Sequence, residues 1–179
     1  VIINADAMQV YEGWQILTAR PTRQDQQNVS HLLYGHVDNK EAYSVGDWLH
    51  EVTPLLNGKH RPIIVGGTGL YFRALTEGLA DIPKTPTEYR QKSSELIQNG
   101  RILDLVEDLD EVTKSKIDLK NPIRVARAWE VLQATGKSII SWQADTPSPL
   151  LSINKCDAIH MHSNSQWLNE RIKTRFYTM

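Results

Sequence analysis

An acid and a double-glycine bend carry most of the chemistry this sequence offers. Asp6 sits in "NADAMQVY", directly after the apolar, β-branched run Val1-Ile2-Ile3, which reads as a short buried strand. A carboxylate at a strand end can accept a proton or hold a metal. It can equally cap the segment that follows, a common task for Asp. Gly66, Gly67 and Thr68 follow a second run of this kind in "RPIIVGGTGLYF". In open α/β sheets ligands lie beyond the carboxyl ends of the strands, where glycines admit close approach and a helix N-terminus favours an anion. A tight strand-to-helix turn explains the same residues, and the pattern G-x-x-x-x-G-K-[ST] occurs nowhere in the chain. Both readings stand at each position.

A second group is cationic. Arg124 and Arg127 are spaced i, i+3, and Arg171 and Arg175 i, i+4 beside an apolar Leu168–Ile172–Phe176 row. Exposed helix arginines are commonly just solvated, yet the planar guanidinium suits phosphate oxygens, and the spacing lets each pair aim at one anion. His160 and His162 alternate along an expected strand with no third ligand in view, and His31 and His36 fall on opposite faces of another. No zinc site is expected from them. The single Cys156 excludes an internal disulfide and reads as a small buried side chain in a reducing, cytosolic setting.

Several elements must position these groups. Strands are expected at 1–4, 31–37, 61–67 and 156–162. Ser44 and Asp47 form a capping-box pattern before Trp48, Val52, Leu55 and Leu56, and Thr68 is placed to cap a helix through Leu75. Alternating strands and helices imply a parallel sheet. The middle of the chain shows no strand pattern. There Thr85-Pro86 with Glu88 predicts a helix start that Gly100 ends, and Asn121-Pro122 predicts another that Gly136 ends. The acidic "DLVEDLDE" reads as a solvated helix face. A last helix begins near Ser165 and still runs at Met179.

Composition sets outer bounds. The chain has 179 residues, 40% hydrophobic and 23% charged, enough for one domain with a small appended one. Net charge is −1, so a nucleic-acid partner would have to meet a local basic face. No apolar run approaches the roughly 20 residues of a membrane span. No secretory leader is visible. The chain opens on Val1 in mid-strand, from which a longer polypeptide is expected.

Taken in order, "INADAMQVYEGWQILTARP", "HLLYGHVDNKEAYSVGDWL", "RPIIVGGTGLYFRALTEGL", "NPIRVARAWEVLQATGKS" and "NERIKTRF" resemble successive motifs of the bacterial-type tRNA dimethylallyltransferases. The resemblance implies an α/β fold with a P-loop-kinase-like parallel sheet, whose first strand and P-loop would lie upstream of Val1. It also implies an inserted all-helical subdomain that clamps the anticodon stem-loop. The corresponding division is a core at 1–82, an insertion at 83–142 and a returning core at 143–179. The implied activity is transfer of a dimethylallyl group from dimethylallyl diphosphate to N6 of adenosine 37 in tRNA, with Mg2+, by a cytoplasmic, monomeric enzyme without a membrane partner.

By the same resemblance, Asp6 matches the residue that takes the proton from the attacking amine. Asp6, Ala7, Met8, Gln9, Thr68, Arg90, Ile123, Arg124 and Arg127 match positions at the tRNA, and Thr18, Arg20 and Arg175 match positions at the diphosphate. Ile123 stands where relatives commonly carry Gln, and Leu17 and Arg20 replace a usual glycine and lysine. Lacking the phosphate loop, these 179 residues alone are expected to be nearly inactive. Two further readings are prenyl transfer to free adenine nucleotides, as in the related adenylate isopentenyltransferases, and a non-catalytic tRNA-binding remnant. A generic P-loop nucleotide kinase is the alternative at the level of fold.

Overall fold

The computed structural model describes residues Val1–Met179. In chain order the elements are β1 (Ile2–Asn4), α1 (Gln15–Thr18), β2 (His31–Leu32), α2 (Val45–Leu56), β3 (Ile63–Val65), α3 (Gly69–Glu77), α4 (Thr87–Gln98), α5 (Ile102–Glu107), α6 (Glu111–Lys116), α7 (Pro122–Thr135), α8 (Ile139–Ala144) and α9 (Ser165–Thr178). They fall into two compact units, one of Val1–Glu77 with Pro149–Met179 and one of Gly78–Ser148.

The first unit is α/β. Its three strands lie in the order β2-β1-β3. All pairings are parallel, with Ile2 opposite both His31 and Ile63 and Asn4 opposite Val65. As the central strand, β1 puts Ile3 and Asn4 fully out of water, and Ala5, just beyond it, is fully buried too. Trp48 and Val52 of α2 and Tyr71 and Leu75 of α3 complete the core. Trp48 stacks on Tyr71 with ring centroids 4.5 Å apart. The Ser44–Asp47 capping box starts α2 as the sequence predicts: Asp47 N donates to Ser44 Oγ at 3.2 Å, and Ser44 N to Asp47 Oδ2 at 3.0 Å.

Two expected strands need correction. The run 31–37 is extended only at His31–Leu32, because Leu33 and Gly35 adopt left-handed φ of 61° and 57°. Val37 then returns as an isolated parallel bridge to Tyr11. Residues 156–162 form no strand. Both sides of β1 are taken by β2 and β3, the segment pairs with neither outer edge, and Ile159 and Met161 stand 87% and 89% exposed. Apolar alternation without a ladder partner leaves the backbone to water. Cys156, expected to be buried, is only half-buried, and its thiol donates to Ser152 O at 3.3 Å. The helix from Ser165 is present as α9, capped by Asn164, and its Leu168, Ile172 and Phe176 are exposed.

The second unit is all helical. Leu105, Leu109, Val125, Ala128 and Trp129 form its core. Asn121 caps α7 by accepting from Ile123 N and Arg124 N, and Gly136 ends that helix at φ 68°. Gly100 ends α4 at φ 72°, with Arg101 N donating back to Leu96 O at 2.8 Å. The acidic stretch is not a single solvated face. Leu105 and Leu109 are core, Asp108 accepts from the Trp129 indole at 2.8 Å, and Asp110 caps α6. Thr85 is a further correction: the N-cap of α4 is Pro86, without a side-chain bond, and Thr85 is buried. A residue before proline favours extended backbone, and here that turns the hydroxyl to another partner.

Candidate functional site

The first unit brings Asp6 and the double-glycine bend to the same rim of the sheet. Ala5 N donates to Val65 O at 2.7 Å, so the two strand ends stay in register to their last residues. Thr68 N then donates to Ala5 O at 3.2 Å, and Ala7 N donates to Thr68 Oγ1 at 2.9 Å. Gly66 is dictated by this approach, since a Cβ there would lie 2.2 Å from the carbonyl carbon and oxygen of Ala5. Around Gly67 there is open space, so the rim beside Asp6 is clear of protein at that point. The Thr68 carbonyl accepts from Tyr71 N at 2.9 Å at the start of α3, while its hydroxyl serves the neighbouring loop rather than its own helix.

Asp6 is half-buried, and its Oδ1 accepts from Met8 N at 2.8 Å. That is the turn-forming bond that a capping Asp makes. A carboxylate has two oxygens and about four lone-pair positions, so this bond leaves capacity for a proton. The residue that holds the turn is Asn4. Its Nδ2 donates to Asp6 O and Leu33 O, each at 2.9 Å, and its Oδ1 accepts from Asp6 N at 2.9 Å. Trp48 Nε1 fastens the Asn4 carbonyl at 2.7 Å. The only mark of Asn4 in the sequence is an amide two residues before an acid, a recognisable turn spacing. Burial, and then the Asp6 charge, push the Tyr34 phenol up; burial first, then Tyr11 and Asp6, push Tyr71 up to about 12. Both phenols near Asp6 are therefore neutral at physiological pH.

Thr18, Arg20 and Arg175 also come together, around the turn of Trp14–Ala19. Thr18 Oγ1 donates to Trp14 O at 2.6 Å, and Gln9 Nε2 donates to Thr18 O at 2.8 Å. Arg20 donates to the carbonyls of Tyr11 and Glu12, the latter at 3.0 Å. Arg175 Nη2, reaching in from α9, donates to Ile16 O at 2.8 Å and Leu17 O at 2.6 Å. Arg171 instead lies over the Trp167 ring at 5.0 Å. The two α9 arginines therefore have separate protein partners. An open groove of about 470 Å³ runs along Glu12–Leu17 of the same turn.

In the second unit, Ile123 and Arg124 occupy the exposed first turn of α7, with Ile123 at 79% exposure. Arg127, one turn on, is half-buried and donates from Nη1 to Thr85 Oγ1 at 2.7 Å. Burial lowers its pKa, Glu130 opposes that shift, and the nearby Arg90 adds to it. Glu130 accepts from Ser93 Oγ at 2.6 Å, and the same hydroxyl bonds Arg90 O at 3.0 Å. Thr85 thus holds the Arg127 guanidinium and Ser93 the Glu130 carboxylate, and no spacing signal marks either.

A parallel α/β sheet with an acid and a glycine bend on one rim, in a chain that also carries a helical unit with clustered arginines, defines a restricted class. Within it, the sequence model of the IPP transferase family matches residues 9–179, and the chain belongs to that family. It is 51% identical over 179 residues to the tRNA dimethylallyltransferase of Ruegeria sp. (strain TM1040), spanning 100% of this chain and 61% of that protein. Against the tRNA dimethylallyltransferase of Paracoccus denitrificans (strain Pd 1222), identity is 48% over 184 residues, with 99% and 61% covered. The chain thus spans about 60% of the length of these curated relatives.

Among solved structures, the backbone is similar to a eukaryotic dimethylallyltransferase acting on tRNA, with a TM-score of 0.71 at 24% identity, covering 97% of this chain and 44% of that one. It is also similar to tRNA delta(2)-isopentenylpyrophosphate transferase from Staphylococcus epidermidis, with a TM-score of 0.53 at 24% identity, covering 97% and 58%. These likenesses bear on the fold, which is α/β.

Proposed function

We propose that this chain forms the core of an enzyme that transfers the dimethylallyl group of dimethylallyl diphosphate to N6 of adenosine 37 in a tRNA anticodon loop. The observation that carries the reading is the pair of hydrogen bonds joining the Asp6 loop to the Thr68 bend, Ala7 N to Thr68 Oγ1 at 2.9 Å and Thr68 N to Ala5 O at 3.2 Å. They set a carboxylate and an open glycine step side by side, and one flat purine can meet both. That the relatives are tRNA dimethylallyltransferases supports the choice of reaction.

In this reaction the exocyclic nitrogen attacks C1 of the dimethylallyl group and the C–O bond to diphosphate breaks, its electron pair leaving with the diphosphate. The nitrogen's proton passes to the Asp6 carboxylate. An exocyclic amine is a poor nucleophile, so a positioned base and a good leaving group are both required. The target base must leave its stack before N6 can be reached. Ala7, Met8 and Gln9 form the loop that frames it, with Thr68 opposite.

The diphosphate is assigned to the turn of Thr18 and Arg20, with Arg175 as the cation beside it. Arg90, Ile123, Arg124 and Arg127 are assigned to the RNA. No three His, Cys, Asp or Glu side chains gather into a metal cage. Mg2+ is therefore assigned to the diphosphate as a substrate complex, since this ion is usually held by few protein oxygens together with substrate phosphates. A monomeric, cytoplasmic enzyme completes the proposal. No helix is long and apolar enough to cross a membrane.

The test uses the gene product that carries this chain, with labelled dimethylallyl diphosphate and either an anticodon stem-loop or AMP as acceptor. Label on N6 of the loop adenosine in strong preference to AMP is the expected result. Preference for AMP would move the assignment to free nucleotides. RNA binding without transfer would leave a binding protein.

A further inference from the structure

We propose that Thr85 is a positioning residue for RNA recognition, holding the plane of the Arg127 guanidinium so that its remaining N–H groups meet a backbone phosphate. The proposal deepens the functional reading above and rests on its assignment of Arg127 to the RNA. Thr85 is only 6% exposed, in a loop of the helical unit, and its hydroxyl accepts from Arg127 Nη1 at 2.7 Å across 42 residues of sequence.

The neighbourhood of that bond is unusual for an arginine placed only for stability. A half-buried guanidinium ordinarily takes a carboxylate as its direct partner, because drawing a charge out of water is costly unless it is paired. Here the hydrogen bond runs to a neutral hydroxyl. The acid next in line, Glu130, holds Ser93 Oγ at 2.6 Å. Glu130 still favours the charge on Arg127 without bonding it directly, and a second cation, Arg90, opposes that charge more weakly. The cluster of Arg90, Arg127 and Glu130 therefore carries excess positive charge, partly desolvated, with one guanidinium edge fixed from behind. A phosphate supplies the missing negative charge, and a bidentate contact requires a guanidinium whose plane is already set. An immobile fork also loses less side-chain entropy on binding than a free one.

The experiment measures stem-loop binding and steady-state transfer in the gene product that carries this chain. Variants are Thr85→Val, Thr85→Ser, Arg127→Ala and the Thr85→Val/Arg127→Ala double variant, each with a thermal melt. Thr85→Val keeps the shape and removes the acceptor. It is expected to raise KM and Kd for the stem-loop about tenfold, the order of one hydrogen bond to a charged group. At saturating RNA, kcat and the KM for dimethylallyl diphosphate should stay as in the parent. Thr85→Ser should return RNA affinity to within about twofold, and the double variant should match Arg127→Ala alone.

A Thr85→Val protein with a lower Tm but parental RNA affinity would overturn the proposal. So would an equal loss on adding Thr85→Val to Arg127→Ala. If Thr85→Val does not fold, Thr85→Ala takes its place in the same comparisons. Parental RNA affinity in Arg127→Ala would instead show that the assignment of Arg127 itself is wrong, and the role of Thr85 would fall with it.

Discussion

The helical unit and the sheet unit meet the same requirement, satisfying backbone polar groups, from opposite distances. In the helical unit Asp110 accepts from Thr113 N, Asn121 from Ile123 N and Arg124 N, and Ser138 from Ser141 N, all within three residues. In the sheet unit β1 draws its partners from His31–Leu32 on one side and Ile63–Val65 on the other. Parallel strands are ordinarily covered on both faces, yet Ile63 and Val65 of β3 are 58% and 48% exposed. A fold secured by local caps tolerates change at its backbone but not in its core volume. A fold secured by distant pairing is most sensitive where two backbones touch. Chemistry and the target base are assigned to the second kind of region, and the RNA-binding arginines to the first.

The largest effect that sharpens this contrast is expected at Asp6. Asp6→Ala should lower kcat for prenyl transfer by about 10²- to 10⁴-fold, the usual worth of a positioned base. Stem-loop Kd should change by less than about twofold, well under the roughly tenfold that one hydrogen bond to a charged group is worth. A parallel loss of RNA affinity would erase the division of labour between the regions. Next is Trp129→Ala in the helical core, where the indole is 2% exposed and bonds Asp108 at 2.8 Å. Urea unfolding should show a loss of about 3–5 kcal/mol.

Gly66→Ala comes third. It forces a Cβ to within 2.2 Å of the Ala5 backbone and should cost about 1–3 kcal/mol. Gly67→Ala meets nothing within 4 Å and should stay within about 0.5 kcal/mol. Equal losses at the two glycines would contradict the close approach of β1 and β3.

Among the substitutions expected to destabilise, the smallest effect is at a cap. Asp110→Ala should cost about 1 kcal/mol at neutral pH. The Thr113 hydroxyl, then the Thr113 N–H, hold the Asp110 carboxyl below its ordinary value of 3.8. A lowered folded pKa adds stability above pH 3.8 that disappears as pH falls through the folded value. The variant's acid unfolding, followed by circular dichroism, should therefore lack that component.

Legibility in the sequence follows the same divide. The Ser44–Asp47 box, the Asn121 cap and the left-handed Gly100 and Gly136 can be read because each depends on residues within one turn. The strand expected at 156–162 misleads because alternation states which face is apolar, not whether a neighbour is available to pair. Thr85 looks like a cap in one dimension and serves Arg127 in three. Proximity of Asp6 to the Gly66–Thr68 bend is readable, since strand ends of one parallel sheet share a rim. The Arg175 bonds to Ile16 O and Leu17 O are not, since backbone carbonyls leave no mark on residue type.

The central place of β1 also dictates an order of events in time. One edge can pair once His31–Leu32 has been made, but the other waits until Val65 has been synthesised and a long loop has closed back onto β1. The helices of the second unit can start from their own local caps, and local contacts form faster. In a refolding experiment, helix signal from the Trp129 core should precede quenching of Trp48 against Tyr71. During synthesis the β3-facing edge of this β-branched strand would meanwhile be open to pairing with the wrong chain.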